Sequence, residues 1–404
     1  MKILVLNCGS SSVKYRLFDD PPPAASAASP SLDATPSVTG LGSSDPGAEP
    51  AVFRGMPATL AKGLIERIGE AGGDAADHTA ALQQVMESID LSNLGAIGHR
   101  VVHGGSLFSS ATLIDDEVVE TIERLVPLAP LHNPAALSGI AVARKLLPDV
   151  PQVAVFDTAF HQTIAPEGVT YAIDAGLAAD WQIRRYGFHG TSHAYVARET
   201  AALLGRPAEE INVITLHLGN GASACAVQGG RSVATSMGMS PQSGLVMGTR
   251  SGDIDPTVIF HLHRVAGLPI EEIERSLTRS AGLQGLTGAN DMREIQRRRD
   301  EGDPAATLAF AVYCRRIKEH VGAYLALLGH TDAITFTAGV GENSPAVRSA
   351  ALQGLSTLGI EIDEARNNRG DRIVSPDAAR VAVCVVPTDE ELEIAEETRK
   401  ALGA

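Results

Sequence analysis

The sequence predicts an α/β protein built from two related domains, and three observations carry that expectation. The chain has 404 residues, which at roughly 150 residues per domain suggests two or three of them. Short buried-strand patterns alternate with helical patterns along much of the chain, the arrangement of an α/β fold. Residues 3–14 read ILVLNCGSSSVK, and residues 213–227 read VITLHLGNGASACAV, about half a chain later. Both are a buried strand, a turn with Asn, Gly or Ser, and a second strand. The echo suggests two copies of one domain, each opening with a β-hairpin whose turn faces a ligand.

The elements follow in order. Lys2 to Leu6 reads as a buried strand and Val13 to Phe18 as its hairpin partner. Residues 20 to 50 are rich in Pro, Ser, Ala, Gly and Asp. Such a segment buries too little apolar surface to offset its ordering, so a flexible surface insertion without a catalytic role is expected. Asn133-Pro134 offers an N-cap and a proline at the first helical position, opening a helix to about Leu147. Val153 to Phe156 is a strand that delivers Asp157 at its end. Thr191 is placed to cap a helix running to Leu204, stopped by Gly205 and Pro207. Asp255-Pro256 opens another helix. Apolar residues at helical spacing from Phe310 to Leu328 predict one long core-facing stripe. Ile334 to Ala338 is a strand, Ser344-Pro345 starts a helix, Val381 to Val386 is a strand, and a last helix begins after Thr388.

Composition excludes several functions. The formal net charge of −15 and the 4% aromatic content argue against a nucleic-acid partner, which needs basic surface and stacking platforms. No apolar run approaches the ~20 residues that span a bilayer. The N-terminus reads as a first strand rather than a signal peptide. Cys8, Cys225, Cys314 and Cys384 show no metal-ligand spacing, and read as buried free thiols in a reducing cytoplasm.

Several motifs suit phosphate chemistry. The two hairpin turns place backbone N–H groups and small hydroxyls where a phosphate can approach. Neither GxxxxGK[ST] nor a strand-linked GxGxxG is present. A third turn, Gly339 to Asn343, lies between a strand and a helix, where the helix dipole favours anions. Arg100, in GHRVVHGG, has the planar fork for a carboxylate or phosphate. Taken alone, it reads better as an exposed loop arginine. His189 precedes a helix start, where a neutral imidazole can donate one hydrogen bond, and an ordinary turn histidine is as good a reading. Arg250 remains a candidate in MGTRSGDIDP, whose Asp253 and Asp255 are read as structural, Asp255 being an N-cap before Pro256. In Pro387-Thr388-Asp389-Glu390-Glu391, Thr388 and Glu391 fit a capping box. That leaves Asp389 or Glu390 for Mg²⁺, a hard cation that takes carboxylate oxygen and substrate phosphates.

LNCGSSSVK, GHRVVHGG, VFDTAFH, RRYGFHGTSH, HLGNGAS, MGTRSGDIDP, TAGVGENS and PTDEE, in that order from residue 6 to residue 391, resemble the acetate kinase family. The resemblance covers nearly the whole chain outside residues 20–50. It implies a fold of duplicated RNase H-like (actin-like ATPase) α/β domains with the active site in the cleft between them. The implied division is residues 1–157 with 392–404, and residues 158–391. The implied reaction is reversible, direct in-line phosphoryl transfer, ATP + acetate ⇌ ADP + acetyl phosphate, with Mg²⁺, for which Mn²⁺ can substitute. A cytoplasmic homodimer is expected.

The same resemblance assigns residue roles. Asn7 and Glu390 hold Mg²⁺; Lys14, with Ser10 and Ser12 of the first turn, contacts ATP. Arg100 binds the acetate carboxylate, and Val102, Leu131, Phe188 and Pro241 wall its methyl group. His189 and Arg250 stabilise the transition state, and His132 lies near the phosphoryl group. His217, Leu218, Gly219, Asn220 and Gly221, then Asp291, Met292 and Arg293, then Gly339, Val340, Gly341, Glu342 and Asn343 form the nucleotide site. Asp157 matches the family's catalytic aspartate. Acetate, with a pKa of ~4, is ionised at pH 7 and needs no base, so a positioning role is expected for Asp157, holding an arginine or a metal-bound water. The alternatives are a propionate or butyrate kinase of the same family, a non-catalytic nucleotide-binding module, and a sugar kinase of the same fold. Of these, the presence of Arg100, His189 and Arg250 together argues against the second.

Overall fold

A computed structural model describes residues 1–9, 11–19, 57–70, 72–130 and 132–403. Ser10, Leu131 and the expected insertion at 20–50 lie outside the described residues.

Two mixed sheets carry the fold. The first contains β1 (Lys2–Cys8), β2 (Val13–Asp19), β3 (Ala58–Ile65), β4 (Leu94–Val101), β5 (Thr112–Leu113) and β6 (Gln152–Phe156), in spatial order β3-β2-β1-β4-β6-β5. The second contains β7 (Asn212–Leu218), β8 (Ala222–Gln228), β9 (Arg231–Thr235), β10 (Ala333–Thr337) and β11 (Ala382–Val385), in order β11-β10-β7-β8-β9. In each, an antiparallel three-strand meander is followed by two strands parallel to its first. Strands β3-β2-β1-β4-β6 therefore correspond to β9-β8-β7-β10-β11. The echoed hairpins are β1–β2 and β7–β8, so the repeat glimpsed in the sequence is a repeat of topology. This is the expected fold of duplicated RNase H-like domains.

Two helices lie between the sheets. Glu390–Ala401 packs on β1, β4 and β6, and Gly190–Leu203 packs on β7 and β10 and against Glu390–Ala401. Their apolar faces join one buried cluster, in which Tyr195, Val196, Leu392 and Ile394 meet Val5 and Val155 of one sheet and Val213 and Ala333 of the other. The long helix Pro304–Leu328 buries Phe310, Cys314, Ile317, Val321, Tyr324 and Leu328, the stripe expected from spacing. It covers the second sheet. All four cysteines are buried free thiols, and burial pushes those of Cys225 and Cys384 up to about 12.

Helix starts are where local sequence rules mislead. Thr191 caps nothing. The residue preceding Gly190–Leu203 is His189, and no side chain caps that helix. Asn133 is the first residue of its helix rather than the cap. Its amide instead donates to His103 O and accepts from His103 N. The Thr388/Glu391 capping box is absent. Asp389 caps the last helix, accepting from Leu392 N at 2.9 Å. Gly339 to Asn343 is not an open turn but part of a short helix, Ala338–Asn343, directly after β10. Ser344 does cap its helix, accepting from Val347 N, whereas Asp255 accepts from Thr257 N but Pro256 holds the cap position of Thr257–Val265. Strand β3 carried no readable signal, because this edge strand exposes most of both faces.

Candidate active site

The site forms where strands of both sheets end. Arg100 is the penultimate residue of β4, and Asp157 is the first residue beyond β6. The parallel register pairs Arg100 with Val155 and Val101 with Phe156, and Asp157 N extends it by donating to Val101 O at 3.0 Å. The two side chains therefore emerge together. Arg100 Nε donates to Asp157 Oδ1 at 2.9 Å and Nη2 to Oδ2 at 2.7 Å. Asp157 is 1% exposed. Burial and nearby Glu390 push its carboxyl up, against the pull of Arg100. Both its oxygens accept from a guanidinium, which is how the carboxylate, not the acid, binds. Burial also opposes the charge on Arg100, but Asp157 and Glu390 outweigh it and keep Arg100 protonated.

His189 has a left-handed backbone, φ 58°, at the entry to Gly190–Leu203. Gly190 makes that entry work. Its N–H donates to Asp157 O at 2.9 Å, and a Cβ there would fall 2.2 Å from that oxygen. His189 is thus fixed beside Asp157 through the backbone. Its ring stacks on His217, centroids 4.2 Å apart. Burial first, then His217, His193, Arg100 and Arg250, hold its pKa well below the usual value, so the imidazole is neutral. This agrees with the neutral histidine expected, but burial rather than a helix end is the largest cause.

Arg250 lies in a loop and donates to Pro241 O. Among the described residues no carboxylate comes within ion-pair distance of it, in contrast to Arg100. A Cβ on Gly221 would sit 3.2 Å from Arg250 Nη2 and 3.6 Å from His189 Nε2. The β7–β8 turn therefore approaches both groups closely. Val102, His132, Phe188, Pro241 and Arg250 line one cavity of about 620 Å³. Gly219, Asn220, Asp291, Met292, Arg293, Gly339, Val340 and Asn343 line a second, of about 520 Å³.

The consecutive acids at the last helix separate cleanly. Asp389 is occupied by the cap and by Arg16, 2.6 Å away. Glu391 pairs with Lys14 at 2.6 Å. Glu390 has only a loose contact with Arg100, at 3.8 Å. Burial opposes its charge, yet Arg100, His217 and Lys14 hold its pKa below the usual carboxylate value. It is the one acid of the three not committed to a close protein partner.

A family model described as the acetokinase family matches residues 2–396. An acetate kinase of Streptomyces griseus is 55% identical over 100% of this chain and 96% of its own length. One from Clavibacter michiganensis is 51% identical over 100% and 98%. Among solved structures, an acetate kinase from Porphyromonas gingivalis superposes with a TM-score of 0.86 at 38% identity, covering 99% of both chains. A propionate kinase from Francisella tularensis gives 0.85 at 37%, also covering 99% of both. The chain belongs to the acetokinase family. It is an enzyme, and its activity is that of an acetate kinase, a phosphotransferase using ATP. Acetokinase membership also implies a divalent metal and acetyl phosphate and ADP as products.

Not every residue expected at this acetokinase site reaches a cavity. Leu218 is fully buried in the core of the second sheet, and Gly341 packs against Phe336 and Leu216. Glu342 accepts from Thr388 N, tying β10 to the start of the last helix. Lys14, expected at ATP, is half-exposed and ion-paired with Glu391. Asn7 lies near the end of β1, where it pairs in register with Lys14. Sequence reading passed over His193, Ser192 and Ser223. Ser192 Oγ is 2.8 Å from His217 Nδ1, and Ser223 Oγ lies between His189 and His193. One signal was available: His193 stands four residues after His189, in the first turn of the helix that His189 precedes.

Proposed function

We propose that the enzyme moves the γ-phosphoryl of ATP directly and in line onto an acetate oxygen. One acetate oxygen bonds to the γ-phosphorus as the bond to the β,γ-bridging oxygen breaks, and ADP leaves. Phosphoryl transfer asks mainly for positioning and charge stabilisation. The observation that carries this reading is the pair of guanidiniums. Arg100 is held in a fixed fork by Asp157, while Arg250, without a carboxylate partner among the described residues, lies beside the neutral His189. In this reading Arg100 orients the acetate carboxylate with Nη1, and Arg250 and His189 meet charge on the equatorial oxygens. Val102, Phe188 and Pro241 wall the methyl group. ATP lies along Gly219 and Asn220, with its base end in the cavity of Asp291 to Arg293 and Gly339 to Asn343.

Mg²⁺ suits the one uncommitted acid, Glu390, with Asn7. Among the described residues no cluster of three or more His, Cys, Asp or Glu side chains could hold a metal. Mg²⁺ usually binds through one or two carboxylates with phosphates and waters, so a sparse protein donor set is the expected one. When bound it neutralises charge on the ATP phosphates.

Residues 1–157 with 392–404, and residues 158–391, are proposed as the two domains, supported by the packing of the last helix on β1, β4 and β6. Among the described residues, no helix is long and apolar enough to cross a membrane. The four buried, unpaired thiols suit a cytoplasmic enzyme. A homodimer is proposed from the helix Thr257–Val265, which buries none of its residues although Val258, Phe260 and Val265 are 40%, 56% and 71% exposed. Sedimentation is expected to show a dimer, and Phe260→Asp with Val265→Asp to shift it to monomer. A monomeric parent would refute the assignment.

Substrate size tests the pocket. A methylene in an apolar site is worth about 1–3 kcal/mol, so acetate is expected to outperform propionate and butyrate. Val102→Ala is expected to raise kcat/KM for propionate relative to acetate by about tenfold, read by trapping the acyl phosphate as its hydroxamate. An unchanged ratio would remove Val102 from the methyl wall.

A further inference from the structure

The buried hydrogen bonds behind His189 form a chain. Thr215 Oγ1 is 2.7 Å from His193 Nδ1. His193 Nε2 is 2.8 Å from Ser223 Oγ, and Ser223 Oγ is 2.9 Å from His189 Nδ1. Ser223, His193 and Thr215 are all fully buried, so no water substitutes for these partners. His189 Nε2 has no hydrogen-bond partner among the described residues and lies on the Arg250 side of the ring.

A hydroxyl has one proton, and a neutral imidazole has one N–H. Were both histidines to donate to the two lone pairs of Ser223, its own proton would have no acceptor among the described residues, so Ser223 donates to one histidine and accepts from the other, and the chain runs in one of two directions. If His189 donated from Nδ1 to Ser223, then Ser223 would donate to His193, and His193 to Thr215. The Thr215 proton would then be left with Cys225 O at 3.5 Å, too long for a sound O–H···O bond. In the other direction Thr215 donates to His193 Nδ1, His193 Nε2–H to Ser223, and Ser223 to His189 Nδ1. The protons of Thr215, His193 and Ser223 then each have a short acceptor, and the proton of His189 sits on Nε2, facing the cleft.

We propose that Ser223 and His193 are positioning residues, which lock neutral His189 in the tautomer that presents an Nε2–H donor to the transferring phosphoryl oxygens. This rests on the reading that His189 acts there. Without the lock, an Nε2 lone pair would face phosphate oxygens and repel them. The tautomer thus decides whether His189 assists or opposes transfer.

The test uses the full-length enzyme. ¹⁵N-edited spectra of the histidine side chains are expected to show His189 as the Nε2–H tautomer in the parent and as a tautomer mixture in Ser223→Ala. The kcat of Ser223→Ala is expected to fall about tenfold to a hundredfold, with KM for ATP and acetate little changed. His193→Gln supplies an amide N–H to Ser223 and a carbonyl to Thr215, preserving the direction, and is expected to stay within about threefold of the parent, whereas His193→Leu matches Ser223→Ala. Spectra showing Nδ1–H in the parent, or a Ser223→Ala enzyme with parental kcat, would overturn the proposal. His189→Ala separates the two levels. If it keeps parental kcat, the reading of His189 itself fails; if it alone loses kcat, only the lock fails.

Discussion

Asp157→Asn is expected to lower kcat/KM for acetate by at least about a hundredfold, and to raise the Mg²⁺ concentration needed for half-maximal rate. Both effects follow from the Arg100 fork. Asp157 offers two acceptor oxygens to Arg100 Nε and Nη2. Asparagine keeps one acceptor and turns an NH₂ towards a guanidinium N–H, so one bond is lost and replaced by a donor–donor clash. Arg100 is then a largely buried cation without its counter-ion, a state that is strongly disfavoured. Its nearest remaining carboxylate is Glu390, 3.8 Å from Nη1. A shift of about an ångström would close that gap, and displacement on that scale costs about a hundredfold in rate. It would also occupy the acid proposed for Mg²⁺, coupling acetate binding to metal binding. Steady-state kinetics at varied acetate and Mg²⁺ check both. A variant with normal turnover and unchanged metal dependence would rule out positioning of either the arginine or the metal.

This coupling shows what was legible in the sequence. Asp157 at a strand end and Arg100 among glycines could each be singled out. Asp157 was expected to hold an arginine or a metal-bound water, but that its partner is Arg100 could not be read, because the parallel register of β4 with β6 joins residues 57 apart. The family resemblance supplied roles but not this bond. Repeats and long stripes were readable since they are sums over many residues, as the helix Pro304–Leu328 shows. Caps were readable only in part, as at Ser344, since each is a single hydrogen bond that tertiary contacts can override. Thr388 illustrates the point. It resembles a cap in sequence, but in the fold its hydroxyl lies 2.8 Å from Ser192 Oγ and its N–H donates to Glu342, so Asp389 takes the helix. The histidine chain behind His189 was hidden for a related reason. Ser223 and Thr215 come from adjacent strands β8 and β7, and only the sheet brings them to one side of His193.

The second large effect is acid sensitivity. Stability is expected to fall steeply as pH drops from 6.5 towards 5, before most carboxylates titrate. Burial pushes the imidazoles of His99, His103 and His161 down to about 4, and those of His189 and His193 well below the usual value. Once unfolded, each returns to about 6.5. Between these values the unfolded chain binds protons that the folded chain refuses, so stability rises with pH and is lost on acidification. Each such group contributes up to about 1.4 kcal/mol per pH unit. Glu393 works the other way. Burial raises its carboxyl to about 7, so its folded form holds a proton in this window, and it offsets about one histidine. The remaining four give a slope of roughly 5.5 kcal/mol per pH unit at most, against a usual total stability of about 5–15 kcal/mol. Denaturant unfolding at pH 7.5, 6.5, 6.0 and 5.5, followed by circular dichroism, measures the slope directly. A stability that stayed level or rose on acidification would mean that these histidines are charged in the folded enzyme, and the neutral His189 that the transfer site relies on would fall with it.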